Sequence, residues 1–155
     1  LAASSAVKVG ITRQNQIPTR WIDQGASEAI ILAEVPNRHE AGKIEVALKE
    51  FFTDKTHWQK MLKNEIDKSI DLEDEKWSLE EKLPSDILNY FSENDVIWKL
   101  NYPVDQFPKK VKSLSFDKTP IIVGTLVGIK GQYLIFDNDC VLNIRKHTGY
   151  FVNIH

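Results

Sequence analysis

Cysteine is almost absent from this sequence: Cys140 stands alone among 155 residues. That excludes an internal disulfide and any multi-cysteine zinc site within these residues. The four histidines, His39, His57, His147 and His155, fall at no metal-ligand spacing. No apolar run approaches the length of a membrane span and no signal-peptide pattern opens the chain, so no membrane association and a cytoplasmic location are expected. Tyrosine is missing from the whole first half, the first being Tyr90. Methionine does not open the chain, which starts at Leu1, and a segment upstream is expected to be missing.

What is present reads as an ordinary globular protein, with 42% apolar and 27% charged residues. The length allows one core of normal size or two very small ones. Charge is unevenly spread. Residues 1–64 carry a net +2, residues 65–98 a net −8 and residues 99–155 a net +4. Only the two outer blocks favour a polyanion, and the acidic block reads as a solvated helical insert.

In the first block, Val7, Val9 and Ile11 alternate with Lys8, Gly10 and Thr12, the period of a half-buried strand. Pro18 opens a helix through Arg20, Trp21 and Ile22, which Gly25 stops. The apolar run Ala29 to Val35, ended by Pro36, reads as a central strand. From Arg38 to about Phe52 the residues Ala41, Ile44, Leu48, Phe51 and Phe52 share one helical face. Glu45 lies about 65° from the centre of that stripe, at its border. Thr53-Asp54-Lys55-Thr56 breaks the helix, and Thr56 is a candidate cap for another.

The strand Lys8-Val9-Gly10-Ile11-Thr12, followed by an arginine on one helix and a glutamate on the next, resembles the GIY-YIG endonuclease fold. That resemblance implies a small sheet carrying a metal-dependent phosphodiester-hydrolysing site. By position Gly10 matches the strand glycine. Arg20 matches the arginine that supports the phosphate, and Glu45 the glutamate that holds one Mg²⁺ or Mn²⁺ ion. Lys8 and Arg13 would assist with substrate charge. The chemistry is coherent: phosphodiester hydrolysis needs positive charge where negative charge develops, and a guanidinium fork matches two phosphate oxygens. The sequence departs from the family pattern in two ways. Lys8 replaces the tyrosine of the second half-motif, and the strand bearing the first half-motif is expected just before Leu1. Structural roles are also open to each residue: Arg20 pairing with Asp23, Glu45 with Lys49, and Gly10 relieving crowding in a strand.

A second resemblance covers nearly the whole chain. The strings KVGITRQNQIPTRWIDQGA, DKTHW, GIKGQYLIFD and NIRKHTGY resemble the bacterial family called domain of unknown function 2797. It implies a cysteine-rich, zinc-binding segment upstream, so zinc is expected only there.

In the acidic middle, Ile66, Ile70, Trp77 and Leu79 are interspersed among charges, and Pro84-Ser85-Asp86 restarts a helix with Ile87, Leu88, Tyr90 and Phe91 on its apolar side. Beyond Pro103 the pattern turns to strands over 110–116, 121–129, 132–136, 140–145 and 150–154. Lys130-Gly131, Asp137-Asn138-Asp139 and Thr148-Gly149 are the turns. Such spacing predicts a small antiparallel β-barrel. Lys130, Arg145, Lys146 and His147 gather at its turns as candidate phosphate contacts, while Tyr133 and Tyr150 read as core or hairpin residues.

The expected fold is therefore α+β. A GIY-YIG-like α/β sheet domain spans 1–63, an acidic helical connector 64–98 and a β-barrel 99–155. The expected ligand is nucleic acid, DNA or RNA. A non-catalytic nucleic-acid-binding protein is one alternative, and an interaction scaffold docking protein partners through the acidic helices is the other.

Overall fold

The structure, a computed structural model, describes residues 1–52 and 57–155; the Thr53–Thr56 break and the Thr56 cap lie outside the described residues. The fold is mixed α+β, with two four-stranded sheets and five α-helices among the described residues.

The first sheet has the order β2-β1-β3-β4, with β1 at Ala2–Ala3, β2 at Val7–Lys8, β3 at Glu28–Ala29 and β4 at Trp98–Lys99. Every pairing is antiparallel, with Ala3 opposite both Val7 and Glu28, and Ala29 opposite Trp98. The strands are shorter than the sequence pattern suggested: the ladder of β2 stops at Lys8, and Ile30 to Val35 continues as irregular chain with one bridge from Ala33 to Phe91. Among the described residues the strand paired with β2 is β1.

Alternation decides which side chains go to which face. Ala3 and Ile30 are buried in a core with Leu1, Val7, Leu32, Ile44 and Leu48, to which Leu72, Leu79, Leu83 and Ile87 are added from the acidic stretch. Ala29 packs on the other face with Trp21, Ala26, Ala2 and Ile31. Helix α1 (Thr19–Asp23) covers that second face, and Gly25 ends it with φ +71°, where its N–H reaches the Ile22 carbonyl at 2.9 Å.

Helix α2 (Arg38–Leu48) starts where Asn37 Oδ1 accepts from the Glu40 N–H at 3.1 Å, with the Glu40 carboxylate in the favourable first turn. Its buried residues are Ile44 and Leu48, as the 3.6-residue period requires. Helix α3 (Trp58–Leu62) follows. Helix α4 (Leu72–Trp77) is capped by Asp71, which accepts from the Glu73 and Asp74 N–H groups, and α5 (Ser85–Leu88) opens after Pro84.

The second sheet has the order β5-β8-β7-β6, with β5 at Lys112–Leu114, β6 at Leu126–Lys130, β7 at Tyr133–Phe136 and β8 at Cys140–Asn143. It is an open sheet and not a closed barrel. Two things prevent closure. The chain leaving β5 crosses to the far edge before forming β6, so β5 pairs with β8 in parallel and both β5 and β6 are left as edges. Residues 150–154 form no strand and are exposed, so no fifth strand joins the edges. A single bridge from Val104 to Gly128 covers part of the β6 edge.

The second sheet is fastened to the first by the β6–β7 turn and the segment after β4. Tyr102 donates its phenol to the Ala26 carbonyl at 2.7 Å, and Lys130 Nζ donates to Asn64 Oδ1 at 2.7 Å. Gly131, at φ +59°, lies so close to the α1 C-terminus that a Cβ would stand 3.0 Å from the Asp23 carbonyl oxygen. Tyr133 stacks flat on Trp58 with centroids 5.7 Å apart, the core role expected of it.

Candidate functional site

The stretch after β2 and helix α2 form the two walls of a cleft of about 240 Å³. Val9, Gly10, Ile11 and Thr12 line one side; Ala41, Ile44, Glu45 and Leu48 line the other. Segment 30–35 and Trp21 of α1 complete the lining. Two residues singled out from the sequence, Gly10 and Glu45, thus face one space. Arg20 occupies α1 beside Trp21 and is half-buried, but it is not among the residues lining the cleft.

Glu45 is half-buried, the border position its helical angle implied. Neither it nor Arg20 takes part in an ion pair among the described residues, so the Glu45–Lys49 and Arg20–Asp23 pairings do not form. Crowding does not explain Gly10 either: a Cβ there would meet nothing within 4 Å, and its backbone is not left-handed. Most of the lining residues are apolar, and the small polar or acidic side chains at the cleft are Thr12, Gln14, Glu34 and Glu45. Thr12, Gln14 and Glu34 were not identified from the sequence; their only signal was closeness in the chain to Gly10 and to the strand-like run ending at Pro36. Lys8 is half-buried on β2, and Arg13 is exposed at the start of a 3₁₀ turn over Gln14–Gln16.

The basic residues of the C-terminal part separate into two groups. Arg145 and Lys146 are exposed on a 3₁₀ turn spanning Ile144–His147. His147 and Lys130, the other two candidate phosphate contacts, are buried, at 9% and 2% exposure, and are not surface groups. The physical reason for His147 is hydrogen bonding. The Phe116 N–H, which can only donate, reaches Nε2 at 3.2 Å, so Nδ1 carries the ring proton and donates to the Asn143 carbonyl at 2.9 Å. The ring thereby bridges the loop after β5 and the end of β8.

Around it, Phe116 and Tyr150 pack edge-on to the imidazole. Tyr150 donates to Asp117 Oδ1 and Ser115 to Asp117 Oδ2, and these two bonds hold the Asp117 carboxyl below the ordinary range. Ser115 Oγ also stands 3.3 Å from His147 Nε2. This is no nucleophile–base pair, because Nε2 already accepts a backbone proton and Ser115 is turned to Asp117. Sequence reading missed this cluster, whose members are scattered over thirty-odd residues.

Lys76 was missed as well. It is fully buried and gives its three protons to the Ser92 carbonyl at 2.5 Å, the Asn94 carbonyl at 3.1 Å and Asp95 Oδ1 at 2.8 Å. A signal existed: Lys76 falls on the apolar stripe of Leu72, Leu79 and Leu83.

The fold and these sites define an α+β protein with a cleft bordered by carboxylates and a separate exposed basic turn. The family profile described as protein of unknown function (DUF2797) matches residues 1–152, and the chain belongs to that family. No curated protein and no solved structure matches it.

Proposed function

We propose that the protein binds nucleic acid and that the Gly10–Glu45 cleft is a nuclease-like site for a phosphodiester. The observation that carries this reading is Glu45: a half-buried carboxylate without an ion-pair partner among the described residues, opposite an uncrowded glycine in one cleft. A carboxylate so placed is open to a divalent cation that keeps part of its water shell.

The donor set suits Mg²⁺ or Mn²⁺. Glu45, Glu34, Gln14 and Thr12 offer hard oxygen atoms, and no group of three His, Cys, Asp or Glu side chains able to cage a metal occurs among the described residues. Magnesium is commonly held by one or two carboxylates plus waters and substrate phosphate, which such a site accommodates. A bound divalent ion would polarise phosphate oxygens there. Glu45 would fix its position, and the open face at Gly10 would admit the backbone of the substrate. Arg20 would stabilise the phosphate from α1, with Lys8 and Arg13 supplying further positive charge on the approach. Arg145 and Lys146, exposed on the second sheet, would contact phosphates farther along the strand.

A binding-only reading is favoured by one specific observation. Lys8 on β2 stands where the second half-motif calls for a tyrosine, and none of Tyr90, Tyr102, Tyr133 and Tyr150 lines the cleft.

The test is cleavage and binding of labelled single- and double-stranded DNA and RNA with Mn²⁺ or Mg²⁺, for the wild type, Glu45→Ala and Arg20→Ala. Cleavage lost in both variants, with folding retained, establishes the nuclease reading. Salt-sensitive binding without cleavage establishes the binding-only reading. Absence of both at low salt refutes nucleic acid as the ligand and leaves the scaffold alternative.

A further inference from the structure

Among the described residues two lysines are buried, and they are served very differently. Lys76 gives its protons to three oxygens, one of them a carboxylate. Lys130, at the end of β6, is 2% exposed, and among the described residues its only hydrogen bond is to the neutral Asn64 side chain. Its ammonium otherwise faces the rings of Tyr102 and Phe107, with centroids 5.3 and 5.5 Å away. An ammonium has three N–H donors, so two of them here lack an oxygen.

Lys130, Asn64, Tyr102 and Phe107 all line one cleft of about 560 Å³ between the two sheets. Lys68 and Lys99 also border it, against Glu28 and Asp67. Three cations against two carboxylates leave one positive charge unmatched, and the most buried of the five is Lys130. Ring faces can ease the desolvation of a cation but do not neutralise it.

We propose that this cleft binds a small oxyanion, a carboxylate or a phosphate monoester, with its charged head at Lys130 Nζ and its body against Tyr102 and Phe107. The site is separate from the Gly10–Glu45 cleft and shares no residue with it. Burial alone lowers the Lys130 amine from 10.5 to about 8, so it is mainly protonated at neutral pH and ready to pair. An anion bound against it must push that value back up, because the opposite charge favours the protonated form.

The experiment follows the Lys130 side-chain resonance of protein carrying ¹³C-labelled lysine while benzoate or phenyl phosphate is added at constant ionic strength. The expected result is a saturable shift with at least one probe, and titration of Lys130 above pH 8 in the saturated protein. The same probe should raise Tm for the wild type, raise it less for Lys99→Ala, and leave Lys130→Met unchanged. Benzoate alone acting identifies a carboxylate ligand, and phenyl phosphate alone a phosphate. The proposal is overturned if neither probe moves the Lys130 resonance saturably up to tens of millimolar, a result that does not depend on any variant folding. It is equally overturned if a folded Lys130→Met variant is stabilised as much as the wild type.

Discussion

Lys76 Nζ and Asp95 Oδ1 stand 2.8 Å apart, one on α4 and the other three residues before β4. The pair, together with the Ser92 and Asn94 carbonyls, ties a helix of the acidic stretch to the chain that enters the last strand of the first sheet. The most acidic part of the sequence is thereby anchored by a buried positive charge.

Lys76→Met should be among the most damaging single changes. It strands two carbonyls and a partly buried carboxylate, and removing one partner of such a pair costs about 2–4 kcal/mol. Urea denaturation measures it. A cost under about 0.5 kcal/mol would mean that water replaces the ammonium without penalty.

His147→Ala and Arg145→Ala should differ in kind. The histidine variant loses two hydrogen bonds and aromatic packing and should be destabilised by about 2 kcal/mol. Arg145→Ala and Lys146→Ala should leave stability within about 0.5 kcal/mol, but each should flatten the salt dependence of nucleic-acid binding by about one unit of log–log slope. Equal slopes in all variants would remove this turn from the interface.

Lys130 should make stability rise with pH. Its folded value, about 8, lies below the unfolded 10.5, so between those limits the unfolded chain binds the extra proton and stability increases with pH. The gain is on the order of 3 kcal/mol in all, complete above pH 10.5 and absent below pH 8. Denaturation curves at pH 7 and 10.5 for the wild type and Lys130→Met isolate it as the difference between the two.

Tyr150→Phe should raise the Asp117 pKa toward the ordinary carboxylate value, since the phenol bond is the largest cause of its depression and the Ser115 bond the next. Any stability from Asp117 is present above its unfolded value and lost as pH falls through the lower folded value. An NMR titration of the Asp117 carboxyl carbon reads the change. An unmoved midpoint would show that the Tyr150 bond does not persist in solution.

The mixed α+β character, the α2 face with Ile44 and Leu48, the Gly25 stop and all four C-terminal strands were legible because period and turn chemistry act locally. The parallel β5–β8 pairing was not, because nothing in 112–114 says which strand it will meet. The position of Glu45 at a buried border could be read from helical angle alone, whereas Thr12, Gln14 and Glu34 reach the same cleft only through the tertiary fold. Lys130 and His147 were read as surface residues because charge usually marks the surface. Their burial follows from partners, Asn64 and the Phe116 N–H, that are remote in sequence.

The position of β4 bears on how the chain is made. Its neighbour β3 leaves the ribosome early, yet Trp98 and Lys99 emerge only after α2 through α5 have been synthesised. Until then one edge of β3 has no strand beside it, and the apolar side chains of the helices must collapse against an unfinished sheet. A nascent chain stalled before Trp98 should therefore be open to proteases and holdase chaperones, and one stalled well past Lys99 should resist them.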